Sequence, residues 1–293
     1  MLGKFSDGEL KTQIGENVRG KKVFIVGVTN PPGDNLLQMA FVADAAHRSS
    51  AGEIIAMPVY LGYNRQDRKD KPRVPVSSHV VARILEMDCN KIVLFDPHSE
   101  VTAAFFRGIT TDVLFTSYAS VPFLKKRLSA CSENIVVVSP DAGGAKRAQS
   151  YSKLLGLGGV YAMISKGERP ADNQVGNDLK VIGDVAGKDV LIVDDIMDTC
   201  GTICKSSKAL VDSGAKKVYV YAPFGLFSGN AIAKLDAMHE IIPEVFTTDI
   251  IHHSSLEPQT QNIKLTVLPF APFLAEVIRR VANNESLTAL FLK

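Results

Sequence analysis

An apolar run ends on carboxylates in "VLIVDDIMDTCGT" (190–202): Asp194, Asp195 and Asp198 are followed at once by Thr199, Cys200, Gly201 and Thr202. Carboxylates accept hydrogen bonds from sugar hydroxyls or bind a hydrated Mg²⁺, but they repel a phosphate. The small residues and hydroxyls behind them do the opposite. A turn that enters a helix aims free backbone N–H groups and the positive end of the helix dipole at an anion. A sugar phosphate uses both halves. An Asp-Asp pair alone is read equally well as an acidic turn; the ordered pattern of apolar run, acidic pair and Asp-Thr-x-Gly-Thr is far more specific.

Three further polar clusters follow apolar runs. "VVVSPDAGGAKR" (136–147) sets Asp141 at a run's end, then Ala142, Gly143 and Gly144, with Lys146 and Arg147 behind. It reads as a phosphate-and-metal loop or as a glycine-relaxed turn. "VLFDPHSE" (93–100) brings Asp96 and His98 to a run's end, where a lone histidine is more often structural. "YLGYNRQDRKDKPRVP" (60–75) is dense in charge, and Arg65, Gln66 and Asp67 offer a cation, an amide and a carboxylate suited to a nucleotide. "KFSDGE" (4–9) is ordinary turn chemistry by itself.

The elements that must position these clusters alternate. Strand-like runs at 21–28, 53–60, 91–96, 134–139, 160–165, 189–194, 217–224 and 264–270 are separated by loops and amphipathic stretches, of which 34–48 is the clearest. Apolar strands alternating with helices predict parallel sheets joined by crossovers, and ligands then bind beyond the strands' carboxyl ends. Two consecutive α/β domains suit 293 residues, with a junction at 115–122. The expected division is 1–118, 119–270 and a terminal helix, 271–293, that packs back on the first domain. A net charge of +2 excludes a bulk nucleic-acid binder, and no apolar run reaches membrane length, which predicts no membrane association. Cys89, Cys131, Cys200 and Cys204 lack paired or zinc-like spacing, so free thiols in a reducing cytoplasm are expected.

Taken in order, "FSDGE", "NVRGKKVFIV", "DNLLQM", "RQDRKD", "DPH", "SPDAGGAKR", "IGDVAGKDVLIVDDIMDTCGT" and "FSGNA" span almost the whole chain and resemble the ribose-phosphate pyrophosphokinase (phosphoribosyl diphosphate synthetase) family. The resemblance implies two type I phosphoribosyltransferase-like α/β domains and a cytoplasmic homo-oligomer. It implies an Mg²⁺-dependent transfer of diphosphate from ATP to ribose 5-phosphate. It assigns Asp194, Asp195, Asp198, Thr199, Cys200, Gly201 and Thr202 to ribose 5-phosphate, and Asp141, Ala142, Gly143 and Gly144 to the diphosphate. ATP falls to Phe5, Asp7, Glu9, Arg65, Gln66 and Asp67, with the Phe5 segment reaching a neighbouring subunit's site. His98 and Asp141 match metal-associated positions. Lys166 and Arg169 match a catalytic lid, so that Lys166, Arg169, His98 and Arg65 form the expected catalytic set.

The chain also departs from the family. The strand and helix usual before Phe5 are expected to be either cut from this sequence or truly absent, Lys166 and Arg169 stand one residue farther apart than usual, and "YAPFGLFSG" (221–229) replaces a family pattern that contains histidine. These departures admit a larger acceptor, such as ADP-ribose. A silent regulatory homologue and a plain phosphoribosyltransferase are the other readings; the second leaves the nucleotide-side segments without a role.

Overall fold

The computed structural model describes residues 2–129, 134–159, 161–166, 179–252 and 260–290. Two compact units divide the chain, one from Met1–Phe115 with Leu274–Phe291, the other covering Thr116–Phe273.

The first unit opens with an antiparallel hairpin, β1 (Leu2–Lys4) and β2 (Leu10–Thr12). It continues through β3 (Lys22–Val28), α1 (Asp34–Arg48), β4 (Glu53–Tyr60), α2 (Ser77–Glu86), β5 (Lys91–Phe95), a 3-10 helix (Glu100–Phe105) and β6 (Thr110–Leu114). The four strands form one parallel sheet in the order β3-β4-β5-β6. The periodicity of α1 explains its place: Leu36, Met39, Ala43 and Ala46 share one face and pack with Ile25, Ile54, Ala56, Ile92 and Leu94. Burial of each large aliphatic side chain contributes about 1.5–3 kcal/mol. Lys22 donates to Asn284 Oδ1 (2.6 Å) and to the Ala282 carbonyl (3.2 Å), which pins the end of the last helix, α7 (Ala271–Ala282), within this unit.

The second unit runs α3 (Ser117–Ser129), β7 (Ile135–Ser139), α4 (Ala145–Leu154), β8 (Tyr161–Lys166), β9 (Leu179–Ile182), β10 (Asp189–Val193), β11 (Ile196–Met197), α5 (Gly201–Asp212), β12 (Val218–Tyr221), β13 (Phe224–Gly225), α6 (Ala231–Asp236), β14 (Glu244–Thr248) and β15 (Lys264–Leu268). Seven strands form a sheet in the order β15-β14-β12-β10-β7-β8-β9, all parallel except β9. Strand periodicity divides its core. Val190 and Ile192 pack with Ile203, Leu210, Ile232 and Leu235 on one face. Leu191 and Val193 pack with Leu124, Leu128, Ala148 and Tyr151 on the other. Helices therefore cover both faces, which is why these strands are continuous apolar runs.

After β7 the chain moves outward to β8 and β9, then returns to β10 on the opposite side of β7. The order reverses between β7 and β10, and ligands of open parallel sheets bind at such a reversal. The stretch 115–122 is largely helical: α3 starts at Ser117 and carries Pro122 inside it, with Val121, Leu124 and Leu128 buried.

Candidate functional site

The loops that leave β7 and β10 are the two clusters the sequence marks as anion and sugar binders. Their meeting follows from adjacent strands, Val190–Ile192 lying in register with Val136–Val138. Asp194 begins the β10 loop with its N–H on the Tyr221 carbonyl (3.0 Å), and its Oδ1 accepts from the Asp195 N–H (2.9 Å). From the β7 side, Arg147 Nη1 reaches Asp194 Oδ1 at 3.4 Å and Asp195 Oδ1 at 3.5 Å. One guanidinium at these long distances only partly offsets two carboxylates. Burial and the neighbouring charge of Asp195 therefore push the Asp194 carboxyl up to about 7, with Arg147 pulling the other way. This pair is built to receive further donors or a cation.

The turn behind the pair is strained and uncapped. Cys200 takes the left-handed conformation (φ 56°, ψ 9°) at the start of α5, and its side chain does not cap that helix. A non-glycine residue held there persists only when its surroundings fix it, and such positions concentrate at binding sites. A Cβ added to Gly201 would meet nothing within 4 Å, so the start of α5 is open to a ligand. The Cys200 side chain is buried in the core and its thiol is pushed up to about 12 by burial; it supplies shape and no nucleophile.

A second strand holds the turn in place. β11, inside the acidic loop, pairs in parallel with β13, matching Ile196 with Phe224 and Met197 with Gly225. The N–H groups of Leu226 and Phe227 donate to the Met197 carbonyl (2.7 and 3.1 Å), and that of Ser228 donates to the Asp198 carbonyl (3.1 Å). Lys234 on α6 donates to the Thr199 carbonyl at 3.0 Å. Sequence reasoning passes over Lys234, because a lysine five residues beyond "FSG" carries no motif. Only the fold of β13 and α6 around the loop reveals it. The sequence marks Arg147 as a cation behind the glycines, but its two carboxylate partners lie 47 and 48 residues away.

The two glycines of the β7 loop have different surroundings. Gly144 is buried, and a Cβ there would come within 2.6 Å of Ser139 Oγ, which donates to the Asp141 carbonyl at 2.6 Å. Gly144 is thus required by the loop's own packing, while Ala142 and Gly143 are the exposed positions. Asp141 is exposed and accepts from the Gly144 N–H at 3.1 Å.

In the first unit the predicted residues lie on three turns. Phe5, Asp7 and Glu9 form the hairpin tip, closed by Phe5 N–H to Glu9 O (2.8 Å) and Glu9 N–H to Asp7 Oδ1 (3.0 Å). Lys11 lies 5.6 Å from the centre of the exposed Phe5 ring. Arg65, Gln66 and Asp67 follow β4, and exposed His98 follows β5, both at carboxyl ends of parallel strands. Asp96, just before His98, is buried with φ 40°. Lys166 is the last residue of β8, paired in register with Leu179. Arg169 lies outside the described residues, as does Cys131; Cys89, Cys200 and Cys204 are free thiols.

Known proteins resemble this chain. The family model for the N-terminal domain of ribose phosphate pyrophosphokinase matches residues 1–88, and that for the phosphoribosyl synthetase-associated domain matches 173–292. A ribose-phosphate pyrophosphokinase of Pasteurella multocida is 42% identical over 99% of this chain and 90% of its own length. The Shewanella oneidensis protein of the same name is equally similar, 42% with the same coverage. This chain belongs to the ribose-phosphate pyrophosphokinase family. The crystal structure of a phosphoribosylpyrophosphate synthetase from Mycobacterium smegmatis superposes with a TM-score of 0.85 at 32% identity, covering 97% of this chain and 90% of that one. The α/β fold with mainly parallel sheets is therefore that of the family. Among the described residues no helix is long and apolar enough to cross a membrane.

Proposed function

We propose that this protein transfers the β,γ-diphosphoryl group of ATP to the 1-hydroxyl of ribose 5-phosphate, giving phosphoribosyl diphosphate and AMP. The observation that carries this reading is the acidic pair backed by an uncapped, strained helix start at the strand-order reversal, in a chain that matches pyrophosphokinases along 99% of its length. Asp194, Asp195 and Asp198 accept from the ribose hydroxyls. Thr199, Cys200, Gly201 and Thr202 offer N–H and hydroxyl donors to the 5-phosphate. Asp141, Ala142, Gly143 and Gly144 line the diphosphate side, and Arg65, Gln66 and Asp67 with the Phe5 hairpin take ATP. The exposed Phe5 ring fits a part in a neighbouring subunit's site within a homo-oligomer.

In the reaction the sugar's 1-hydroxyl oxygen bonds to the β-phosphorus and gives up its proton, while the α,β-bridging oxygen leaves with AMP. Charge accumulates on the moving group and on the leaving oxygen, so the site's work is orientation and neutralisation. Arg65, Lys166 and Arg169 supply fixed positive charge for that purpose. A divalent ion fits the donor set. Among the described residues no cluster of three His, Cys, Asp or Glu could hold one alone. Mg²⁺ in nucleotide sites is held mostly by phosphates and water, with one or two protein groups. An exposed group at a strand's carboxyl end suits it, and the family resemblance marks Asp141 in the second unit and His98 in the first. Bound there, Mg²⁺ would neutralise phosphate oxygens.

Purified protein with Mg²⁺ and ATP is expected to release AMP with ribose 5-phosphate, the product identified by mass. AMP release with ADP-ribose and none with ribose 5-phosphate would replace this reading by the larger-acceptor one. Lys234→Met should weaken ribose 5-phosphate binding about fivefold, since a charged donor to a partly exposed carbonyl is worth roughly 1 kcal/mol. Calorimetric titration of the sugar phosphate checks this, and unaltered affinity would mean that β13 alone holds the turn.

A further inference from the structure

We propose that Asn64 is a positioning residue that ties together the segments on the nucleotide side, and that its two hydroxyl partners, Ser78 and Thr102, set the affinity for ATP without touching it. Asn64 is 4% exposed, Ser78 1% and Thr102 fully buried. The Asn64 Oδ1 atom accepts from Ser78 Oγ at 2.6 Å and from Thr102 Oγ1 at 2.8 Å. The proposal rests on the reading that Arg65, Gln66 and the His98 segment serve ATP.

The three residues come from separate parts of the first unit. Asn64 immediately precedes Arg65 and Gln66. Ser78 lies in the first turn of α2, beyond the exposed charged excursion 68–73. Thr102 lies in the 3-10 helix that follows Asp96-Pro97-His98. One buried oxygen therefore fixes the base of the charged loop at both ends and connects it to the histidine segment. In a low-dielectric interior such a shared acceptor holds its donors firmly, and loss of one leaves a buried polar atom without its mate.

Neighbouring contacts extend the clamp to Gln66. The Ser77 hydroxyl donates to Gln66 Oε1 at 2.7 Å, and the Ser78 N–H donates to the Gln66 carbonyl at 3.2 Å. With its side-chain oxygen engaged, Gln66 presents its amide nitrogen as a donor. It would then recognise an acceptor on the nucleotide, a phosphate oxygen or an unprotonated ring nitrogen. The entry to the turn is equally fixed. A Cβ on Gly62 would lie 2.2 Å from the Thr29 carbonyl oxygen, and the Gly62 N–H donates to Thr29 Oγ1 at 2.8 Å.

Thr102→Val keeps the shape and removes one donor, while Thr102→Ser keeps the donor. Thr102→Val is expected to raise the KM for ATP about tenfold, with the KM for ribose 5-phosphate unchanged within twofold and Thr102→Ser close to wild type. Adding Ser78→Ala should give less than the product of the separate effects, since both act through one oxygen. Amide hydrogen exchange at 65–70 should quicken in Thr102→Val, although the substitution is distant in sequence. The proposal is overturned if Thr102→Val lowers only the melting temperature, or if both KM values rise together. Should wild-type protein make no AMP from ATP and ribose 5-phosphate, the proposed function falls. Calorimetric affinity for MgATP and exchange at 65–70 would then decide the role of Asn64: both altered supports it, neither altered ends it.

Discussion

Lys166→Ala lowers turnover by about 10²-fold or more and leaves ribose 5-phosphate binding largely intact, the scale for loss of one donor that meets its partner only in the transition state. The backbone gives the reason. β8 runs parallel to β7, so Lys166, its last residue, leaves the sheet at the same carboxyl edge as the Asp141 loop. Its partner in register is Leu179 on β9, and between those two positions the chain reads "GERPADNQVGND", polar and broken by glycine and proline. Such a segment suits a cover that brings cations to the transferred diphosphoryl group and excludes water. On the proposed reading the sugar phosphate is held instead by the turn after β10, which Lys166 does not build. Steady-state rates and a separate titration of ribose 5-phosphate divide the two effects; unchanged turnover would remove Lys166 from the mechanism. On the same proposed reading Arg169 serves beside Lys166, and Arg169→Ala assayed under the same conditions tests its part.

Periodicity made much of the scaffold legible in the sequence. α1 and β4 coincide with the stretches 34–48 and 53–60, because an amphipathic helix and a buried parallel strand are the two patterns that composition alone distinguishes well. β6, β9 and β14 were not marked. β6, "TTDVL", is half polar, and β9, "LKVI", is an alternating antiparallel edge; both lack the buried-run signal. β14, "EVFTT", is fully buried yet carries Glu244, whose side chain is taken up by Arg127 at 2.7 Å, Lys264 at 3.0 Å and Thr266 at 2.6 Å. A charge compensated by three distant residues reads as a loop until the fold assembles them. The site divides in the same way. The acidic turn announces itself because its chemistry is contiguous. Its supports, Arg147, β13 and Lys234, are remote in sequence, and so are the partners of Asn64. Gly144 shows another limit: its close approach to Ser139 Oγ is a packing contact that the sequence does not announce.

Asp194→Asn makes the ligand-free protein more stable at pH 8 and a poorer binder of ribose 5-phosphate. The folded carboxyl sits at about 7, above its ordinary 3.8, because burial and Asp195 oppose its ionisation. Between about pH 4 and 7 the folded chain therefore holds a proton that the unfolded chain releases, so stability falls as pH rises through this window and the loss is complete above it. Asparagine keeps the shape and removes the charge. The variant's melting temperature is expected to exceed that of wild type by several degrees at pH 8, for a difference of roughly 1–3 kcal/mol. Near pH 4 the two should melt together. Arg147 opposes this outcome, since it loses one of two carboxylates, but its 3.4 Å contact is long and Asp195 remains to it. A variant less stable at pH 8 would show that the guanidinium pair outweighs the repulsion, and that the turn is at rest without ligand. The expected result has a functional consequence. Sugar hydroxyls donating to Asp194 stabilise its charged form, so binding at pH 7 should release a fraction of a proton, readable as a buffer-dependent heat that Asp194→Asn abolishes.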